Sequence, residues 1–343
     1  MKALNLYGVN DLRYDEVAMP DPAADEVLLK VRAAGICGSD IPRVFTKGTY
    51  HFPTIIGHEF AGEIAAADEA SLVGRKAAVF PLIPCGTCLA CETGNYAQCS
   101  SYSYYGSRQD GAMAEYLAVK KKNLCLMLEG VSFEEAAMSE PAAVGLHAFR
   151  KSGAGIGDTL FIYGIGTIGL IIAQWARASG VRQVIMAART QAKVDFARRI
   201  GFEQAFNVTK TDIREKVKEL TAGCGADVCI EGTGASIGLE QCLWVAKAFG
   251  TVVTLGNPAG EIKLTQDGYW KILRKELKLV GTWNSSFSQL QNDWQDSLYA
   301  MQNKKIELES LITHRFKLSD YEQAFALMHE KREMYGKVMF VIG

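Results

Sequence analysis

The sequence predicts an α/β protein in which a β-rich, barrel-like part is joined to a doubly wound parallel sheet. Three observations carry that reading. Residues 1 to about 145 hold short apolar strands broken by glycine and proline. Near Gly145 the texture changes to strands alternating with helical runs, which implies a parallel sheet covered by helices. After about Asn284 that alternation stops. At 343 residues the chain is long enough for about two domains, each burying its own core.

The elements follow in order. E-V-L-L-K-V-R-A-A-G, F-A-G-E-I-A-A-A and K-A-A-V-F-P-L read as strands of the first part, and irregular segments between them carry Cys37, His58 and a cluster of cysteines. T-L-F-I-Y then reads as a strand, followed by a glycine turn and the apolar helix L-I-I-A-Q-W-A-R-A-S-G. Next come the strand Q-V-I-M-A-A and the helix A-K-V-D-F-A-R-R-I-G. A-D-V-C-I-E-G and T-V-V-T-L-G are two further strands. The C-terminal segment offers a helix within L-I-T-H-R-F-K-L-S-D-Y-E-Q-A-F-A-L-M and a strand in G-K-V-M-F-V-I-G.

Composition excludes several function classes. Hydrophobic residues are 48% and charged residues 22%, as in ordinary globular proteins, and the net charge is −1. That balance gives no basis for nucleic acid or an anionic membrane as partner. The N-terminus lacks the apolar core of a signal peptide. The most apolar run, Thr159 to Ala176, contains three glycines and ends at Arg177, so it reads as strand, turn and helix rather than a membrane span. A cytoplasmic protein is expected. Cys125, Cys224, Cys229 and Cys242 are scattered and read as small buried apolar residues.

Cys85, Cys88, Cys91 and Cys99 stand in P-C-G-T-C-L-A-C-E-T-G-N-Y-A-Q-C-S. Closely spaced cysteines in one loop point at a common centre, and disulfides are rare in the cytosol. Four thiolates fill the tetrahedral shell of a zinc ion, leaving no place for water or substrate. The spacing predicts a structural zinc.

Gly164, Gly166 and Gly169 in Y-G-I-G-T-I-G fit G-x-G-x-x-G between a strand and a helix. The first glycine makes the turn, the second admits the pyrophosphate, and the third lets helix pack on strand. Thr167 and Ile168 open the helix, whose N-terminus favours an anion. A dinucleotide site is predicted. The next strand ends at Ala188, where a carboxylate for the NAD ribose would stand, and Arg189 follows. A guanidinium there can pair with a 2′-phosphate, and Lys193 adds a second charge one helical turn on. The pattern favours NADP, with NAD still possible.

A-G-I-C-G-S-D, G-H-E-F and S-E-P-A-A-V-G-L-H-A-F, arranged around the four-cysteine lobe, resemble the zinc-dependent medium-chain alcohol and polyol dehydrogenases. The resemblance covers essentially the whole chain. It implies a GroES-like zinc-binding catalytic domain over 1–146 and 286–343, with a Rossmann dinucleotide-binding domain inserted at 147–285. It also implies a second, catalytic zinc held by Cys37 and His58 with Glu59 or Glu140, both of which can reach such an ion. Glu140 stands where many alcohol dehydrogenases have cysteine, which puts the chain in the polyol branch. Ser39 matches the hydroxyl that takes the alcohol proton. Pro42 replaces the histidine relay of many alcohol dehydrogenases, so the proton must leave through water, the cofactor ribose or a group such as His51.

Within the polyol branch, C-G-S-D-I-P-R-V-F, G-S-R-Q-D-G-A-M-A-E-Y and L-R-K-E-L-K-L-V-G-T-W-N resemble the enzymes of galactitol-1-phosphate. That likeness implies a polyol or polyol phosphate as the small-molecule substrate. Arg43, six residues past Cys37, is placed where a substrate phosphate could bind; Lys47 and Arg108 are further basic candidates, and Asn284 could face substrate. A free-polyol enzyme of the sorbitol or L-iditol type is the alternative. From a different class, a non-catalytic zinc-lobe binding module is opposed by the near-zero charge, the glycine turn and the second metal constellation. The family implies a homodimer or homotetramer.

Overall fold

The computed structural model describes residues 1–343. The chain forms two compact units, Met1–Ala143 with Ser286–Gly343, and Val144–Ser285. The division falls within the helix Ser139–Ser152, not after residue 146.

The first unit is built on a seven-stranded sheet around the strand Glu26–Ile36. Val27, Leu29 and Val31 alternate onto one face and are fully buried, the period of a half-covered strand. One edge of this strand pairs antiparallel with Glu59–Ala66. Tyr116–Lys120 pairs with its first half and Lys337–Val341 with its end. The core includes Phe60, Ile64, Val79, Phe325 and Phe340. Burying such side chains contributes about 1.5–3 kcal/mol each.

The registers of that sheet position chemistry. Gly35 faces Glu59 across one pairing and Ile36 faces Val338 across another. Cys37 leaves the end of its strand beside His58 and Glu59, while Lys337 starts the C-terminal strand on the other side. Residues distant in sequence therefore meet at one strand end.

The second unit is a six-stranded, wholly parallel sheet. Its spatial order is Ala205–Asn207, Gln183–Ala188, Thr159–Tyr163, Ala226–Glu231, Ala246–Thr254 and Lys278–Gly281. In chain order this reads 3-2-1-4-5-6, the doubly wound arrangement whose order reverses beside Thr159–Tyr163. All five residues of that central strand are buried. The apolar run from Thr159 to Ala176 resolves into this strand, a glycine turn and the helix Thr167–Ala178. No helix is long and apolar enough to cross a membrane.

Cys125, Cys229 and Cys242 are buried, but Cys224 is exposed. Its flanking glycines, Gly223 and Gly225, both have positive φ, so it sits on a turn rather than in an element with a core face.

Candidate metal centres and dinucleotide site

Cys37, His58 and Glu59 form a cluster whose ligand atoms all lie within 4.8 Å of one another. His58 and Glu59 are almost fully buried, at 3% and 2% exposure. One soft thiolate, one imidazole and a carboxylate suit zinc and leave a fourth position open, as in catalytic sites. Glu140, in the first turn of Ser139–Ser152, is buried beside this cluster without belonging to the tight trio. The hydroxyl of Tyr104 donates to Glu140 Oε1 at 3.4 Å.

Asp40 orients the site from behind. Its Oδ2 accepts from the Cys37 N–H at 3.0 Å, and its Oδ1 lies 3.3 Å from His58 Nδ1. A histidine tied through Nδ1 presents Nε2 to a metal. Arg43 Nη1 donates to the same Oδ1 at 2.7 Å and lies 3.3 Å from His58 Nδ1. Burial alone would raise the Asp40 pKa, but the facing His58 and Arg43 hold it well below the usual carboxylate range. Burial likewise opposes charge on His58, and Asp40 with Cys37 overcomes it, raising that pKa. Burial pushes Glu140 up to about 7, with the Glu59 carboxylate adding to the push and His58 opposing it. Glu59 is ion-paired with the buried Lys337, whose Nζ also donates to the Ile36 carbonyl at 3.2 Å.

Sequence reading missed Asp40, Lys337 and Tyr104. Asp40 could have been found from its place one turn after Cys37; Lys337 carries no local signal, because only sheet register brings it to Glu59. Ser39 caps the short turn Asp40–Pro42 without a side-chain cap bond, so its hydroxyl is not committed there.

The four sulfurs of Cys85, Cys88, Cys91 and Cys99 lie within 4.8 Å of one another and none forms a disulfide. Cys85 and Cys91 are 3.8 Å apart at Sγ, and Cys88 and Cys91 3.5 Å. Tetrahedral zinc with bonds of about 2.3 Å separates its sulfurs by roughly 3.8 Å, so the cage fits. Backbone N–H groups turn inward, that of Cys85 donating to Cys99 Sγ at 3.3 Å. A backbone hydrogen bond at Thr87 draws the Cys85 thiol down to about 6, whereas burial pushes Cys91 up to about 12.

In the second unit Gly164 turns the chain at φ +124°, a conformation other residues rarely adopt. A Cβ at Gly169 would stand 2.2 Å from the Gly164 carbonyl oxygen, so helix and turn meet only through glycine. Gly166 caps Thr167–Ala178 with no side-chain bond, and the space around its missing Cβ is open. The first-turn N–H groups, including those of Thr167 and Ile168, thus face a cradle suited to a pyrophosphate. Ala188 ends its strand, Arg189 is exposed, and Lys193 lies in the first turn of Gln191–Arg199. Glu231 was not foreseen. It closes the neighbouring strand and accepts from Thr233 N at 2.7 Å and Gly234 N at 3.1 Å, fixing the adjoining loop. Asn284, at φ +57°, accepts a hydrogen bond from the Ser285 hydroxyl.

The chain matches two family models, "Alcohol dehydrogenase GroES-like domain" over residues 23–129 and "Zinc-binding dehydrogenase" over residues 167–303. It is 33% identical to the galactitol 1-phosphate 5-dehydrogenase of Escherichia coli strain K12 over 97% of this chain and 99% of that one. A solved structure of galactitol-1-phosphate dehydrogenase from Escherichia coli superposes with a TM-score of 0.93, at 33% identity, covering 99% of this chain and 100% of that one. The sorbitol dehydrogenase of Halalkalibacterium halodurans is also 33% identical, over 95% of each chain. A zinc-binding dehydrogenase from Sinorhizobium meliloti 1021, solved bound to NADP, has a TM-score of 0.90 at 28% identity, covering 99% of this chain and 98% of that one.

Proposed function

The chain belongs to the zinc-dependent medium-chain alcohol and polyol dehydrogenases, and from that premise we propose that it interconverts a polyol phosphate of the galactitol-1-phosphate type and its keto sugar phosphate, with NADP preferred over NAD. The trio of half-buried Cys37 and buried His58 and Glu59, with the buried Glu140 beside it, carries this reading. Bound zinc would supply Lewis acidity at the secondary hydroxyl, and the nicotinamide would take the hydride. Cys37, His58 and Glu59, with Glu140 beside them, would hold the metal, and Asp40 would fix the imidazole. Ser39 would accept the alcohol proton through its uncommitted hydroxyl. The Gly164–Gly169 turn would hold the pyrophosphate.

Preference for NADP is supported by the missing carboxylate at Ala188 and the exposed guanidinium of Arg189. A homodimer or homotetramer is supported by Lys278–Gly281, an outer sheet strand with Leu279 exposed. One observation favours the free-polyol alternative: Arg43 is paired with Asp40, so it is not a free receptor for phosphate. An initial-rate panel decides, with galactitol-1-phosphate, galactitol, sorbitol and L-iditol each offered NAD⁺ and NADP⁺. Highest kcat/KM with a phosphorylated polyol and NADP⁺ is expected. Turnover of free polyols alone would transfer the assignment to the sorbitol type, and no turnover of any polyol would remove it.

A further inference from the structure

We infer that Arg108, whose guanidinium lies over the rings of Tyr50 and Tyr102, receives the anionic end of the substrate; the inference rests on the polyol-phosphate reading above. The geometry begins in a tight turn. The N–H groups of Ser107, Arg108 and Gln109 all donate to the Tyr104 carbonyl, at 3.4, 3.0 and 3.3 Å. The Tyr50 N–H clamps that turn by donating to the Ser107 carbonyl at 3.2 Å. Arg108 is thereby brought against two rings, its guanidinium carbon 4.0 Å from the Tyr50 centroid and 4.6 Å from that of Tyr102. Its Nη2 donates to the Tyr50 hydroxyl at 3.2 Å.

No carboxylate pairs with this cation; ring faces and one phenol are its partners. A guanidinium held over two ring faces in this way has already lost much of its rotamer freedom. It keeps further N–H groups in the planar fork that matches a phosphate. Arg43 is in the opposite situation, 21% exposed and committed through Nη1 to the fully buried Asp40.

The stack also leads to the chemistry. Tyr102 meets Tyr104 edge to face with centroids 6.3 Å apart. The Tyr104 ring lies 5.6 Å from that of His58, and its hydroxyl donates to Glu140. A polyol whose reacting hydroxyl meets the Cys37, His58 and Glu59 trio can lie along this aromatic wall, its far end at Arg108. A phosphate there is remote from the reacting carbon, so it reads identity rather than doing chemistry.

The test uses the full-length zinc-loaded enzyme with galactitol-1-phosphate and galactitol, and with inorganic phosphate as competitor. The quantity read is the ratio of kcat/KM for the phosphorylated to the free polyol. Arg108→Gln should lower that ratio about tenfold to a hundredfold, the range for one charge-assisted contact. It should also weaken competition by inorganic phosphate, and Arg108→Lys should restore part of both effects. Arg43→Ala should depress both substrates by similar factors, because it acts through Asp40. Tyr50→Leu, at a 69% exposed position where folding is not at stake, should lower the ratio in the same direction. A wild type that prefers the phosphate, with the ratio unchanged in Arg108→Gln and Tyr50→Leu, overturns this inference and leaves the substrate reading intact. A fall confined to Arg43→Ala overturns it in favour of Arg43. A wild type equally active on both substrates removes the phosphate reading and this inference with it.

Discussion

Asp40 is the residue on which the candidate metal centre turns. Itself fully buried, it ties the Cys37 backbone, His58 and Arg43 into one arrangement through its two oxygens. Removing the charge leaves the imidazole without its orienting partner, an effect that typically costs 10–100-fold in metal affinity. Asp40→Asn should therefore lower zinc affinity at this centre by about that factor, read by competition with a chelator, while the cysteine lobe keeps its ion. Unaltered affinity would mean that Asp40 only packs. The C-G-S-D stretch was legible as part of a motif, yet nothing local ties Asp40 to His58, because that meeting depends on Gly35 pairing with Glu59. On the proposed cofactor reading, Ala188→Asp with Arg189→Ala exchanges a cation for a carboxylate where the ribose 2′ position would lie. The double variant should move preference from NADP towards NAD in paired kcat/KM measurements. A wild type already several-fold better with NAD⁺ would overturn the charge argument.

At the scale of elements, the strands with clear patterns were the legible ones. T-L-F-I-Y and Q-V-I-M-A-A coincide with Thr159–Tyr163 and Gln183–Ala188, because central parallel strands read as unbroken apolar runs. Ala205–Asn207 is three residues long, too short to show a period, and Lys278–Gly281 is an outer strand with little burial to mark it. One polar tie joins three strands of this sheet: Asp227 accepts from the Thr159 N–H at 2.7 Å and pairs with Lys247. Burial would raise the Asp227 pKa, but the Lys247 contact and the Thr159 N–H outweigh it and lower the value. A lowered carboxylate pKa contributes stability above the unfolded value, near 3.9, and that contribution is lost as pH falls through the folded value. Asp227→Asn should accordingly lower Tm at pH 7, with the gap to wild type closing below about pH 4. A gap independent of pH would show that charge is not involved. The cysteine lobe obeys a different rule, having only the short helix Leu89–Glu92 and one helical turn as regular structure. On the structural-zinc reading, metal binding would supply its folding free energy. Cys88→Ser should lower folded yield and Tm, and unchanged stability would remove the structural role of that ion.

Both donor sets lie in the unit formed by Met1–Ala143 and Ser286–Gly343, yet they relate to the fold in opposite ways. Cys37, His58 and Glu59 sit at strand ends fixed by a large sheet and its apolar core, which exist whether or not a metal is bound. The lobe cysteines are their own scaffold. Two zinc ions per chain are therefore expected by metal analysis, with unequal consequences when each is lost. Cys37→Ser replaces a soft thiolate by a hydroxyl that binds zinc weakly, and should remove one ion and all turnover. Because the sheet registers around it do not depend on that sulfur, the variant should keep its circular dichroism spectrum and most of its Tm. The remaining ion should resist chelation until the protein unfolds, since leaving the lobe means unfolding it. A preparation with a single zinc that Cys37→Ser does not remove would show that only the lobe is metallated, and the proposed chemistry would lose its Lewis acid.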